Sequence, residues 1–127
     1  MQEKHLYEYA VIRIVPKVER EEFFNVGVIL YSKNQKFIDM RYQLDKKKLA
    51  AFCPDLDAEQ VEKNLKAFHL ISLGEKNGGP IALMDIASRF RWLTATRSSV
   101  IQTSKTHPGF SNHLEDTVSC LFNELVL

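Results

Sequence analysis

Between Asn25 and Tyr31 the chain reads NVGVILY, apolar at odd and even positions alike apart from Gly27. Side chains alternate across a strand, so a strand of this composition has no face to give to water and must be covered on both sides. The segment therefore belongs at the centre of a sheet, and its neighbours in sequence supply flanking strands. Tyr7 to Val15 (YEYAVIRIV) is rich in aromatic and β-branched residues and stops at Pro16, whose missing amide cannot extend a ladder. Ser32 to Gln35 (SKNQ) supplies turn residues. Lys36 to Gln43 then alternates, with Phe37, Asp39 and Arg41 on one side and Ile38, Met40 and Tyr42 on the other, which predicts a hairpin to an outer strand.

After Gln43 the period changes. Asp45 predicts a helix cap, with Leu44 and Leu49 as its hydrophobic staple. Asp57 repeats the device with Leu56 and Val61, and Gln60 stands in the capping-box position. Val61, Leu65, Phe68 and Ile71 then form a core-facing stripe that Gly74 ends. The NGGP run from Asn77 to Pro80 is a break within one domain, because the residues beyond it are too few to fold alone. A third helix over about Leu83 to Leu93 should bury Leu83, Ile86, Ala87, Phe90 and Leu93. Ser98 to Ser104 is β-prone and should rejoin the sheet beside the first strand; His107 to Gly109 reads as a turn. A last helix from Ser111 or Asn112 places Leu114, Val118, Leu121, Phe122 and Leu125 on one face, with Glu115 boxing Asn112. Strands succeeded by helices make an α+β fold. The expectation is one domain, 1–127, with a mainly antiparallel sheet of about four strands and helices packed on one face.

The charge balance narrows function. Seventeen Lys and Arg against 16 Asp and Glu leave a net +1, too small a field to draw the whole molecule to nucleic acid or an anionic membrane. No apolar run reaches the roughly 18 residues of a spanning helix. Cys53 and Cys120, with no secretory signal at the start, read as free thiols in a reducing, cytoplasmic setting. His5, His69, His107 and His113 have no metal-ligand spacing, so neither metal nor cofactor is expected. Arg89, Arg91 and Arg97, interleaved with Phe90 and Trp92, could contact phosphates and bases, but no nucleic-acid motif supports that use.

A few polar residues stand out. Arg13 shares parity with Tyr7, Tyr9, Val11 and Val15 and so needs an acceptor, either Glu22 in a structural pair or an anion. Asn25 and Gly27 open the central strand, where glycine marks a close backbone approach or a bulge. Arg97 with Ser98 and Ser99 has the donors to hold a phosphate or carboxylate, although hydroxyls between a helix and a strand ordinarily cap and turn. A serine nucleophile would need His107 as its base, and no G-x-S-x-G elbow accompanies it.

Arg13 to Pro16 (R-x-x-P), Glu22 to Gly27 (EFFNVG), Trp92 to Gln102 (WLTATRSSVIQ) and His107 to Gly109 (HPG) together resemble the bacterial family designated domain of unknown function 3037, over nearly the whole chain. The matching residues are Arg13, Pro16, Glu22, Asn25, Gly27, Arg97, Ser98, Ser99, Gln102, His107 and Gly109. Departures are Glu21 in place of glycine, Thr96 in place of proline, and Asn112 with His113 in place of an Asp-Pro pair. The resemblance implies a small bacterial cytoplasmic protein whose relatives often neighbour a HipA-like kinase in genomes; it implies no activity. Two functional classes are open. One is a non-catalytic binding or regulatory module, an accessory to such a kinase, with Arg13, Glu22, Asn25, Arg97, Ser98, Ser99, Gln102 and His107 as a candidate patch. The other is a small enzyme or a nucleotide- or phosphate-binding protein with an Arg/Ser/His pocket. The first is preferred, because no catalytic pair is identifiable.

Overall fold

The two-sided apolar segment forms β2 (Phe24–Ser32), flanked by β1 (His5–Ile14) and β3 (Phe37–Tyr42) in antiparallel register. A computed structural model describes residues 4–17, 20–95 and 99–127. The sheet order is β3-β2-β1-β4, with β4 at Ile101–Thr103 and a fifth strand, β5 (His107–Ser111), also on β1. As expected, the segment after residue 98 rejoins the sheet beside the first strand. β4 pairs with Ile12 to Ile14 and β5 with His5 to Tyr9, so the two share one edge of β1.

The step from Ile12 to Tyr9 on β1 is matched by the longer step from Thr103 to His107, so the edge accommodates an extra residue between its two strands. Ser104 holds this irregularity: its amide donates to the Val11 carbonyl at 2.8 Å, and its Oγ accepts from the Val11 amide at 2.9 Å. His107, Pro108 and Gly109 therefore lie in a strand, not in the turn their composition suggests. Pro108 is tolerated because β5 is an edge. Gly109 is required because an added Cβ would meet the Tyr7 ring at 2.5 Å; the phenol instead lies across the glycine.

The helices are α1 (Lys46–Phe52), α2 (Ala58–Leu73), α3 (Ile86–Leu93) and α4 (Leu114–Leu125). Asp45 accepts from the Lys47 and Lys48 amides, and Asp57 from those of Glu59 and Gln60. The Gln60 side chain turns to Asn64 rather than closing a capping box. Gly74 ends α2 with φ +72°. α3 begins later than expected, at an Asp85 cap. Leu83 is 67% exposed and Ala87 is exposed, while Ala82, in a preceding 3-10 turn (Pro80–Leu83), takes the buried place. α4 starts at Leu114 behind His113, which makes no side-chain cap; the Ser111 hydroxyl accepts from the His113 amide instead.

Helices do not share one face. Ala10, Ile12 and Ile14 of β1, Ile29 and Tyr31 of β2 and Met40 of β3 pack with α1, α2 and α3 in the main core. Val28 and Leu30 of β2 point the other way and meet Leu114 and Val118 of α4, with Tyr7, Tyr9 and Phe37 alongside. The apolarity of β2 on both parities is thus satisfied by helices on opposite sides, which corrects the expected single layer. Leu121 and Phe122 are half-buried here, whereas Leu65 is fully buried in the main core and Phe68 is 9% exposed.

Candidate functional site

At Ile12/Arg13 the pairing of β1 with β2 shifts register, so that Ile12 faces Gly27 and Arg13 faces Asn25. Gly27 is obligatory at this point, since a Cβ would lie 2.6 Å from the Arg41 carbonyl oxygen and 2.9 Å from the Tyr42 Cβ on β3. On its other side Arg13 faces Gln102 of β4. Asn25, Arg13 and Gln102 therefore form a row across three adjacent strands. The row lies on the α4 face, because Arg13 shares the parity of Tyr9 and Val11.

Each member of the row is held differently. Asn25 donates through Nδ2 to the Leu125 carbonyl at 3.0 Å, joining the start of β2 to the last turn of α4. Gln102 donates through Nε2 to the Ser99 carbonyl at 2.8 Å, and the Ser99 hydroxyl donates to the Ile101 carbonyl at 2.7 Å. Both amide groups spend a donor on the backbone and keep their oxygens as acceptors. The Arg13 guanidinium lies 4.0 Å from the centre of the Phe23 ring, and Phe23 is 46% exposed. Arg13 Nε is buried without a hydrogen-bond partner among the described residues. A buried donor in that state is uncommon and costly, which makes its position informative.

Glu22 does not serve Arg13. Its Oε1 accepts from Arg20 Nε at 2.6 Å in an exposed pair, because the chain turns through Glu21 at φ +56° and sends Phe23, not Glu22, to the guanidinium. His107 lies opposite Tyr9, the rings 5.3 Å apart, so it sits four residues along β1 from Arg13, about 13 Å at strand rise. Arg97 and Ser98 fall outside the described residues. Arg13, Asn25, Ser99 and Gln102 are thus gathered, while Glu22 and His107 are elsewhere. Phe23 was missed by sequence reasoning; its signal is its place directly before Phe24, since neighbouring residues of an extended chain point to opposite sides and Phe24 enters the core.

The other flagged groups have partners, although Arg89 Nε, like Arg13 Nε, is buried without one among the described residues. Arg89 is buried, its Nη1 donating to the Ile71 and Ser72 carbonyls at 3.1 and 3.2 Å, and Arg91 forms a forked pair with Glu8. Cys53 is buried; Cys120 is exposed, and its thiol is pushed up by the hydrogen bond and negative charge of Glu124. Burial, then Tyr9 and Cys120, push the Tyr7 phenol up. No cluster of three His, Cys, Asp or Glu in reach of one metal ion occurs among the described residues, and no described helix is long and apolar enough to cross a membrane.

A five-stranded antiparallel sheet between helices, with a polar row across one face, defines a small α+β domain. The chain belongs to the family described as protein of unknown function (DUF3037), whose sequence model matches residues 9–126. Neither a curated protein nor a solved structure matches it.

Proposed function

We propose that this is a bacterial, cytoplasmic, non-catalytic binding or regulatory module, and that the Asn25, Arg13 and Gln102 row is where it takes a protein partner. The observation that carries this reading is Arg13, a guanidinium laid on an exposed phenylalanine with a buried Nε that no described residue satisfies. A planar cation fixed against an aromatic ring has surrendered its rotamer freedom before binding, and arginine and aromatic anchors of this kind dominate interface energetics. A carboxylate on the partner pairs with the outer nitrogens of the Arg13 guanidinium, and the oxygens of Asn25 and Gln102 accept from amides beside it.

The partner we put forward is a HipA-like kinase, the genomic neighbour that the family resemblance brings. Co-expression of the tagged kinase from the same genome with wild-type protein, Arg13→Lys and Arg13→Gln tests this. The wild type should co-purify, Arg13→Gln should be lost at unchanged melting temperature, and Arg13→Lys should be weakened because an ammonium cannot fork. Full retention of Arg13→Gln would remove the row from the interface, and no retention of the wild type would remove the kinase.

A further inference from the structure

On the opposite face, under the first turn of α3, lies a cavity of about 390 Å³ lined by Tyr31, Lys33, Lys36, Asp85, Ile86 and Arg89, with Ala87 completing it. We infer that it binds the phosphate group of a small phosphate monoester. The cavity is separate from the Arg13 row, which lies on the α4 side of the sheet.

Two independent features converge there. The first is the start of α3, where Asp85 takes the Ser88 amide, at 2.7 Å, and the Ser88 side chain, leaving the amides of Ile86 and Ala87 at the positive end of the helix. The second is Tyr31. It is 5% exposed, and its ring is fixed by stacking on Phe90 at 4.9 Å. The ring is buried while the hydroxyl opens to the cavity that Tyr31 lines, where a ligand oxygen can accept from it.

Charge selects the ligand. Lys33 and Lys36 come from the turn between β2 and β3, and Arg89 is fixed beneath by the carbonyls that end α2. Against these three cations stands the single carboxylate of Asp85, leaving two positive charges, which matches the roughly −1.5 to −2 of a phosphate monoester near neutral pH and exceeds what a carboxylate brings. The volume is within the range of small-molecule sites, about 300–1,000 Å³. A second cavity of about 300 Å³ shares Tyr31 and Lys33 and continues toward Leu6, which is 45% exposed, and Pro108. There Leu6, Tyr7 and Pro108 give the organic part of the ester an apolar wall, beside a Glu8 carboxylate already neutralised by Arg91.

Calorimetric titration with glycerol phosphate, a nucleoside monophosphate and the corresponding unphosphorylated alcohols tests the site. At least one ester should bind saturably and its parent alcohol should not. Lys36→Gln should weaken that binding about tenfold, equivalent to about 1.4 kcal/mol. Tyr31→Phe, which removes only the hydroxyl, should weaken it several-fold, while Lys63→Gln on exposed α2 should leave it unchanged. No saturable ester binding, or equal weakening by Lys36→Gln and Lys63→Gln, would overturn the inference.

Discussion

Glu21 occupies the left-handed region at φ +56°, a conformation that favours glycine. A Cβ there costs on the order of 1–2 kcal/mol, offset in part by the extra freedom glycine has in the unfolded chain. Glu21→Gly should therefore raise stability by up to about 1 kcal/mol in urea melts, and a clear loss would mean the left-handed turn is not strained. The consequence at Arg13 was only half legible. Its parity announced a cation without water on an apolar strand, but the partner could not be read, since Glu22 lies close in sequence and the turn at Glu21 sends it away. The loose pairing of Glu22 with Arg20 arises from backbone conformation, which residue types alone do not encode.

At the scale of elements, starts and stops were the most legible features. Asp45, Asp57 and Gly74 cap as their spacing requires, because caps are local interactions within one turn. α3 was misplaced by its apolar Leu83, because periodicity does not reveal that the Pro80–Leu83 turn intervenes and Asp85 is the better cap. Asp85 also gives α3 a pH dependence. Hydrogen bonds from the Ser88 side chain and backbone, with Arg89 adding, hold its carboxyl below the ordinary aspartate value. With the folded value depressed, the unfolded chain binds the proton more readily. The stabilisation is complete above the unfolded value and is lost as pH falls through the folded one. Asp85→Asn should flatten the acid side of the stability profile and leave the shape of its alkaline side unchanged; an unaltered acid limb in melts at graded pH would show the cap to be inert.

Across the whole molecule, the sheet divides two unequal cores. β2 declared that both its faces are covered, yet helix order in sequence does not say which helix goes where, so α4 was placed with the others. The difference has measurable weight. Phe68→Ala in the main core should cost about 3–5 kcal/mol, and Leu121→Ala on the half-buried α4 side clearly less than the roughly 2–5 kcal/mol usual for core leucines. Equal losses would contradict the division into a major and a minor core. A thin cover on one side leaves the Asn25, Arg13 and Gln102 row at the margin of α4, where a partner can reach it. Backbone amide shift mapping of the labelled protein against the HipA-like kinase tests that directly. Binding at the row should concentrate the shifts at Arg13, Asn25, Gln102 and Leu125, and shifts confined to Lys33, Lys36 and α3 on the opposite face would contradict it.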